Sequence, residues 1–180
     1  MSVLKNMMLC AKYPFLHKKG TFKETWYDDI PEGWRNTFGE QLCKDLKEAI
    51  KEAKKEYKKV LHIRAKTSHV FILLGIDVVK GSLEFNGFIH PIIRKVLLKY
   101  KNLSKAYCLY CGQPVRYKME GTEEYLCKNC AKNFVKTYHG KTLIDQKKYL
   151  SKCRLTKKDI PINSDTSVNF IKAWDLKSHR

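Results

Sequence analysis

From Trp34 onward, apolar side chains recur at spacings of three and four: Trp34, Phe38, Leu42, Leu46, Ala49, Ile50, Ala53 and Tyr57. That period draws one stripe along an α-helix and predicts a helix over residues 34–57. Lys47, Lys51, Lys54, Lys55 and Lys58 fall outside the stripe and alternate with Glu48, Glu52 and Glu56, which reads as a solvated face. Glu40 and Lys44 form an i,i+4 pair on that face. The pattern then changes to alternation. Residues 60–66 and 69–79 read as the two strands of a hairpin. In the first, Leu61, Ile63 and Ala65 share one face, and His62, Arg64 and Lys66 share the other. The second is apolar on both faces, as in the centre of a sheet. Gly81 and Asn86-Gly87 mark a loop. A second helix is expected over residues 88–105, with Ile89, Ile92, Ile93, Val96, Leu97, Tyr100 and Leu103 as its stripe. Pro91 is tolerated there because it lies in the first turn. Residues 1–33 show no period and read as irregular.

Two tight cysteine pairs follow, Cys108-Leu-Tyr-Cys111 and Cys127-Lys-Asn-Cys130, with fifteen residues between them. This is the spacing of a four-cysteine zinc site. Two residues between thiolates let one turn place both sulfurs on one ion, and two such turns close a tetrahedron. Gly112 stands where a knuckle turn needs positive φ. Residues 113–126 suit a short hairpin, with Val115, Tyr117, Met119 and Tyr125 as its small core and Gly121 at its turn. Four cysteine ligands leave no open coordination position, so the expected Zn²⁺ is structural. Two disulfides are the competing reading. No secretory signal precedes the pairs, and seven cysteines without one point to a reducing cytoplasm.

The charge changes the picture next. The chain has 36 basic and 18 acidic side chains, a net +18. Such a balance implies an anionic partner, first nucleic acid, then a nucleoprotein, then an acidic protein surface. Drift toward lysine is the plain alternative. The charge is densest over residues 131–158, which hold nine basic residues against Asp145, with Phe134, Tyr138 and Tyr149 among them. Lysines there can neutralise phosphates and the aromatics can stack on unpaired bases; equally, the aromatics can be core and the lysines their wet face. Lys132, Lys136, Lys141, Lys147, Lys148, Lys152, Arg154, Tyr138 and Tyr149 are the candidate contacts, with Arg64 and Lys66 as a second strip. The final residues, 159–180, are neutral in sum and carry Val168, Phe170, Ile171, Trp174 and Leu176, a segment expected to dock on the core.

Catalytic patterns are missing. The six histidines have no HExxH spacing, and there is no Walker lysine loop, GxGxxG or GxSxG. HNH nucleases also carry paired CxxC knuckles, but residues 112–126 contain neither His nor Asp, and His139 alone builds no metal site. Cys43, inside the first helix, reads as a core residue. Cys153 lies between Lys152 and Arg154, which can activate a thiol. No apolar run reaches the ~20 residues of a membrane span. The chain is expected to be non-enzymatic.

Ile30-Pro31-Glu32-Gly33-Trp34-Arg35, then Phe38-Gly39-Glu40-Gln41-Leu42-Cys43 and Cys108-Leu-Tyr-Cys111-Gly112, resemble a group of small, mostly uncharacterised phage and prophage proteins. These combine an acidic turn with Gly-Trp, a helix, a β-hairpin, a second helix and Cys-x2-Cys-Gly. The resemblance covers residues 13–130. It departs at Lys66-Thr67-Ser68-His69, where the group has a Lys-rich strand ending in an aromatic-Gly turn. It implies a mobile-element setting in a bacterial cytoplasm and no catalytic residues. In that setting it implies a possible inhibitor of a host defence complex such as CRISPR–Cas.

The expected fold is α+β: a helix–β-hairpin–helix domain over residues 1–107, a four-cysteine zinc ribbon over 108–130, and a basic extension over 131–180 packing on the core. The expected function is nucleic-acid binding, with protein–protein docking on a host nucleoprotein as the alternative. The sequence leaves the oligomeric state open.

Overall fold

The computed structural model describes residues 2–18, 23–62, 64–139, 143–156 and 159. It is a mixture of helices and small antiparallel sheets, and it folds as two units. The first comprises residues 1–31, 38–78 and 83–100, and the second comprises residues 32–37, 79–82 and 101–180.

In the first unit, α1 (Val3–Lys12) starts at Ser2, whose hydroxyl accepts the Lys5 N–H at 3.4 Å. This overturns the expectation of an irregular N-terminus. Its apolar side chains Val3, Leu4, Met7 and Met8 are exposed, and its buried residue is Asn6. The Asn6 amide donates to the Lys23 carbonyl at 2.7 Å and to Asp28 at 2.8 Å. A helix held by a polar anchor carries no apolar period to read. A single turn, α2 (Glu32–Trp34), passes through a π-helical turn (Arg35–Gly39) into α3 (Glu40–Leu61). Of the expected stripe, Trp34, Phe38, Leu42, Leu46, Ala49, Ile50 and Ala53 are buried and Tyr57 is half-buried, while Cys43, outside the stripe, is buried too. Burial pushes the Cys43 thiol up to about 12, and the neighbouring Glu40 adds to the rise. Cys43 packs with Tyr13 and Leu16 as a core residue. Glu40 and Lys44 pair at 3.1 Å on the outer face.

The hairpin is displaced from its expected place. Among the described residues of 60–66, none lies in a strand. Helix α3 runs on through Val60 and Leu61, and His62 ends it in the left-handed conformation, φ 55°, with its N–H on the Lys58 carbonyl at 2.9 Å. Arg64 and Lys66 are therefore exposed loop residues rather than one face of a strand. The pairing is between β1 (Phe71–Val79) and β2 (Ser82–Ile89). Lys80 and Gly81, with φ 48° and 67°, make the two-residue turn whose twist suits adjoining strands. Asn86-Gly87 lies inside β2. Gly87 has φ 149°, and a Cβ on it would meet the carbonyl oxygen of Ile72 across the hairpin, so this glycine permits close approach rather than a turn. Nor is β1 central: among the described residues its sheet has two strands, and Ile72, Leu74 and Val78 are exposed. The second helix, α4 (Pro91–Ser104), begins after Phe88 and Ile89, which belong to β2. Within the first unit Asp45 accepts from Tyr100 at 2.8 Å, Lys99 at 3.1 Å and Gln41 at 2.6 Å. Burial alone would raise its carboxyl, but these donors outweigh burial and hold it below the usual range.

The second unit is built on β3 (Tyr117–Lys118) and β4 (Tyr125–Leu126), paired antiparallel with Tyr117 opposite Leu126. Two helices follow, α5 (Lys128–His139) and α6 (Leu143–Lys152). The chain then returns to the sheet: Lys118 N–H donates to the Cys153 carbonyl at 2.9 Å and Leu155 N–H to the Arg116 carbonyl at 2.9 Å. Residues 153–155 thus lie antiparallel to β3, with Tyr117 opposite Arg154. The core joins Cys108, Met119, Leu126, Cys127, Ala131 and Val135, with Phe134, Tyr149 and Leu150 packed on it. The expected docking of residues 160–180 lies outside the described residues.

Candidate metal centre and basic face

The first cysteine pair sits on a turn closed by backbone bonds. Gly112 N–H donates to the Cys108 carbonyl at 2.8 Å, and Cys108 N–H donates to the Gln113 carbonyl at 2.8 Å. Gly112 has φ 71°, the positive value its place in the turn requires. The second pair straddles the start of α5. There the Cys130 N–H donates to the Cys127 sulfur at 3.4 Å, and the Ala131 N–H donates to the Cys127 carbonyl at 2.9 Å. One helix N–H, that of Cys130, and the positive end of the helix dipole thus face a sulfur that carries negative charge when ionised.

The four sulfurs of Cys108, Cys111, Cys127 and Cys130 all lie within 4.8 Å of one another. Cys111 and Cys127 are 3.5 Å apart, and Cys130 and Cys111 are 3.6 Å apart. Four sulfurs at about 2.3 Å from one ion would stand about 3.8 Å apart along the edges of a tetrahedron. The donor set fits a metal ion. Cys108 and Cys127 are buried, Cys130 is half-buried and Cys111 is exposed. The hydrogen bond from the Cys108 thiol, opposed by burial and aided by the Cys130 N–H, pulls Cys127 down to about 4. Cys108 moves the other way, because that same bond and burial both keep its proton on. Burial, with bonds to Cys111 and Cys127, pushes Cys130 up to about 12. Without a cation, one sulfur ionises at the expense of its neighbours. A divalent ion removes that conflict.

The knuckle is braced by residues far upstream that the ligand spacing does not reveal. Gly33 N–H donates to the Leu109 carbonyl at 3.0 Å, and the Thr37 hydroxyl reaches the Gly112 carbonyl at 3.2 Å. The indole of Trp34, fully buried, donates to the Tyr107 carbonyl at 2.7 Å. A Cβ on Gly33 would meet the Cys108 carbonyl oxygen, with the Cys111 nitrogen 2.7 Å away. The Gly-Trp pair stands out in the sequence, but no local rule connects it to cysteines more than seventy residues away.

The candidate contact residues divide. Lys132, Lys136, Lys147, Lys148, Lys152 and Arg154 are all exposed, as is Lys128 at the start of α5. Tyr149 is half-buried against the core, and its hydroxyl donates to the Glu120 carbonyl at 3.2 Å. Phe134 packs on the same cluster. Lys141 lies outside the described residues, as do Lys157, Lys158 and the side chain of Tyr138. Cys153 is 4 % exposed, which argues against a reactive thiol. Among the described residues no helix is long and apolar enough to cross a membrane, and no second group of metal-binding side chains occurs. Comparison with protein-family models, curated proteins and solved structures gives no match.

Proposed function

We propose that this chain is a non-enzymatic zinc protein that binds nucleic acid through the lysines of its cysteine module. Four soft thiolates in tetrahedral spacing suit zinc or an iron–sulfur centre, and a closed set of four with two-residue knuckles suits structural zinc best. The ion would hold the two knuckles together, with Cys108, Cys111, Cys127 and Cys130 as ligands. It would thereby fix the starting point of α5.

The observation that carries the binding reading is the division of α5 and α6 into two faces. Their apolar residues Ala131, Val135 and Leu150 turn to the core, while Lys132, Lys136, Lys147, Lys148 and Lys152 are all solvated. Asp145 is the sole acidic residue in the two helices. Such a face neutralises phosphates and releases counterions. The test is a titration of the zinc-loaded protein against labelled single-stranded DNA, duplex DNA and RNA over a range of salt. Binding that weakens steeply with salt supports the reading, and no binding to any of the three overturns it.

A second reading, docking on a host defence nucleoprotein, is favoured by Ile72, Leu74 and Phe88, exposed on the β1–β2 hairpin. The resemblance of the Gly-Trp and Cys-x2-Cys-Gly segments to phage and prophage proteins also supports that setting. Capture of one defined complex from host lysate that persists after nuclease treatment, with poor binding to naked nucleic acid, is the outcome that selects it.

A further inference from the structure

We infer that Tyr110, between the two ligands of the first knuckle, is a stacking platform for an unpaired nucleobase. The inference rests on the nucleic-acid reading above and adds to it a residue and a substrate preference. In Cys108-Leu-Tyr-Cys111 the two intervening side chains part company: Leu109 packs on the core and Tyr110 stands 51 % exposed. Among the described side chains of the second unit, Tyr110 is the exposed aromatic. Tyr107, Tyr117, Phe134 and Tyr149 are half-buried, and Trp34 and Tyr125 are buried. Burial of hydrophobic area gives no reason for a ring at this place.

The ring is also held in place. Its backbone is flanked by two metal ligands, and the turn is closed by the bonds from Gly112 to Cys108 and from Gly33 to Leu109. Its hydroxyl donates to the Glu124 carboxylate at 3.2 Å. An aromatic fixed before its ligand arrives loses little freedom on binding. The carboxylate at its edge repels phosphate and leaves the ring suited to a neutral base. Bases in a duplex are already stacked on one another, so the preferred ligand is a single strand.

The probes are labelled oligothymidylate, an abasic strand of the same length, and a duplex. They are titrated against the zinc-loaded full chain, with metal content and circular dichroism recorded for every variant. Wild type should bind oligothymidylate more tightly than the abasic strand. Tyr110→Ala and Tyr110→Leu should weaken oligothymidylate binding roughly 5- to 150-fold, the range of one stacked base. They should leave the abasic strand, the duplex and the salt slope unchanged, because no charge is lost. Tyr110→Phe keeps the ring and loses only the bond to Glu124, so it should bind oligothymidylate much closer to wild type than Tyr110→Ala does. The inference is overturned if Tyr110→Ala and Tyr110→Leu bind oligothymidylate normally, if they lose as much on the abasic strand, or if both lose zinc. Absence of wild-type binding to every probe would instead bring down the nucleic-acid reading itself.

Discussion

The indole of Trp34 donates to the backbone carbonyl of Tyr107 at 2.7 Å, one residue before the first cysteine of the cluster. A fully buried ring thereby ties the start of a helix to the knuckle that follows α4. Trp34→Phe keeps most of the packing and removes this donor. Loss of a hydrogen bond of this kind costs about 0.5–1.5 kcal/mol. Gly33→Ala places a methyl group against the backbone of the same turn, and overpacking of that kind costs about 1–3 kcal/mol. Both variants should unfold at lower urea concentration than wild type with zinc bound. An unchanged midpoint for Gly33→Ala would show that the knuckle is not seated on this helix start.

Purified protein should contain one zinc per chain by elemental analysis. Cys111→Ser should lose it and unfold at least the cysteine module, since binding energy in such modules is folding energy. Iron and visible colour would point to an iron–sulfur centre. Metal near zero with intact disulfides by mass spectrometry would remove the metal reading altogether.

Zinc affinity should rise with pH. Cys108 and Cys130 are held protonated at neutrality in the metal-free module, Cys130 up to about 12, whereas Cys127 is ionised above about 4. Loading must displace at least the Cys108 and Cys130 protons. The apparent constant should therefore gain at least about 100-fold per pH unit near neutrality, as it must when two or more protons are released. Competition with a chromophoric chelator at several pH values measures the slope. A pH-independent constant would mean that the sulfurs are not the ligands.

Asp45 sets an acid limit on the first unit. Its carboxyl lies below its ordinary value of 3.8 because Tyr100, Gln41 and Lys99 offset its burial. A depressed carboxylate contributes stability that is complete above its unfolded value and is lost as pH falls through the folded one. Asp45→Asn should flatten the stability profile below pH 4 and lower stability at neutrality. Chemical unfolding of both proteins across that range is the check.

Reversal of Lys147, Lys148 and Lys152 to glutamate should abolish nucleic-acid binding and leave zinc content intact, since all three are exposed. Reversal of Lys51, Lys54 and Lys58 should be mild. Lys51 already lies 3.7 Å from Glu48, and acids interrupt that face throughout. If about five phosphates are neutralised, the log–log salt slope should be about −3.5 for single strands and about −4.5 for duplex. A larger loss from the α3 triple variant would move the binding face to the other unit.

The four-cysteine cluster was legible because its spacing is local: two residues between thiols constrain one turn whatever surrounds it. The α3 stripe was legible for the same reason. The hairpin was not. Residues 60–66 alternate as a strand does, yet Val60 and Leu61 extend a helix already under way, and one left-handed residue at His62 stops it. Asn86-Gly87 looks like a turn, but the requirement at Gly87 is the cross-strand carbonyl of Ile72, a non-local fact. In the tail, charge drew the reading toward contact with a partner. The structure puts the rings of Phe134 and Tyr149 on the core. No sequence period distinguishes a stacking aromatic from a packing one.

The return of residues 153–155 to the edge of β3 has a consequence for biosynthesis. All four clustered cysteines leave the ribosome before the segment that completes their sheet. Metal can therefore be captured by a nascent chain whose sheet still has an open flank. Residues 153–155 then work as a clasp, and a nascent chain with Cys130 outside the ribosome and residues 153–155 still inside the exit tunnel would display a metal-competent but unlatched module.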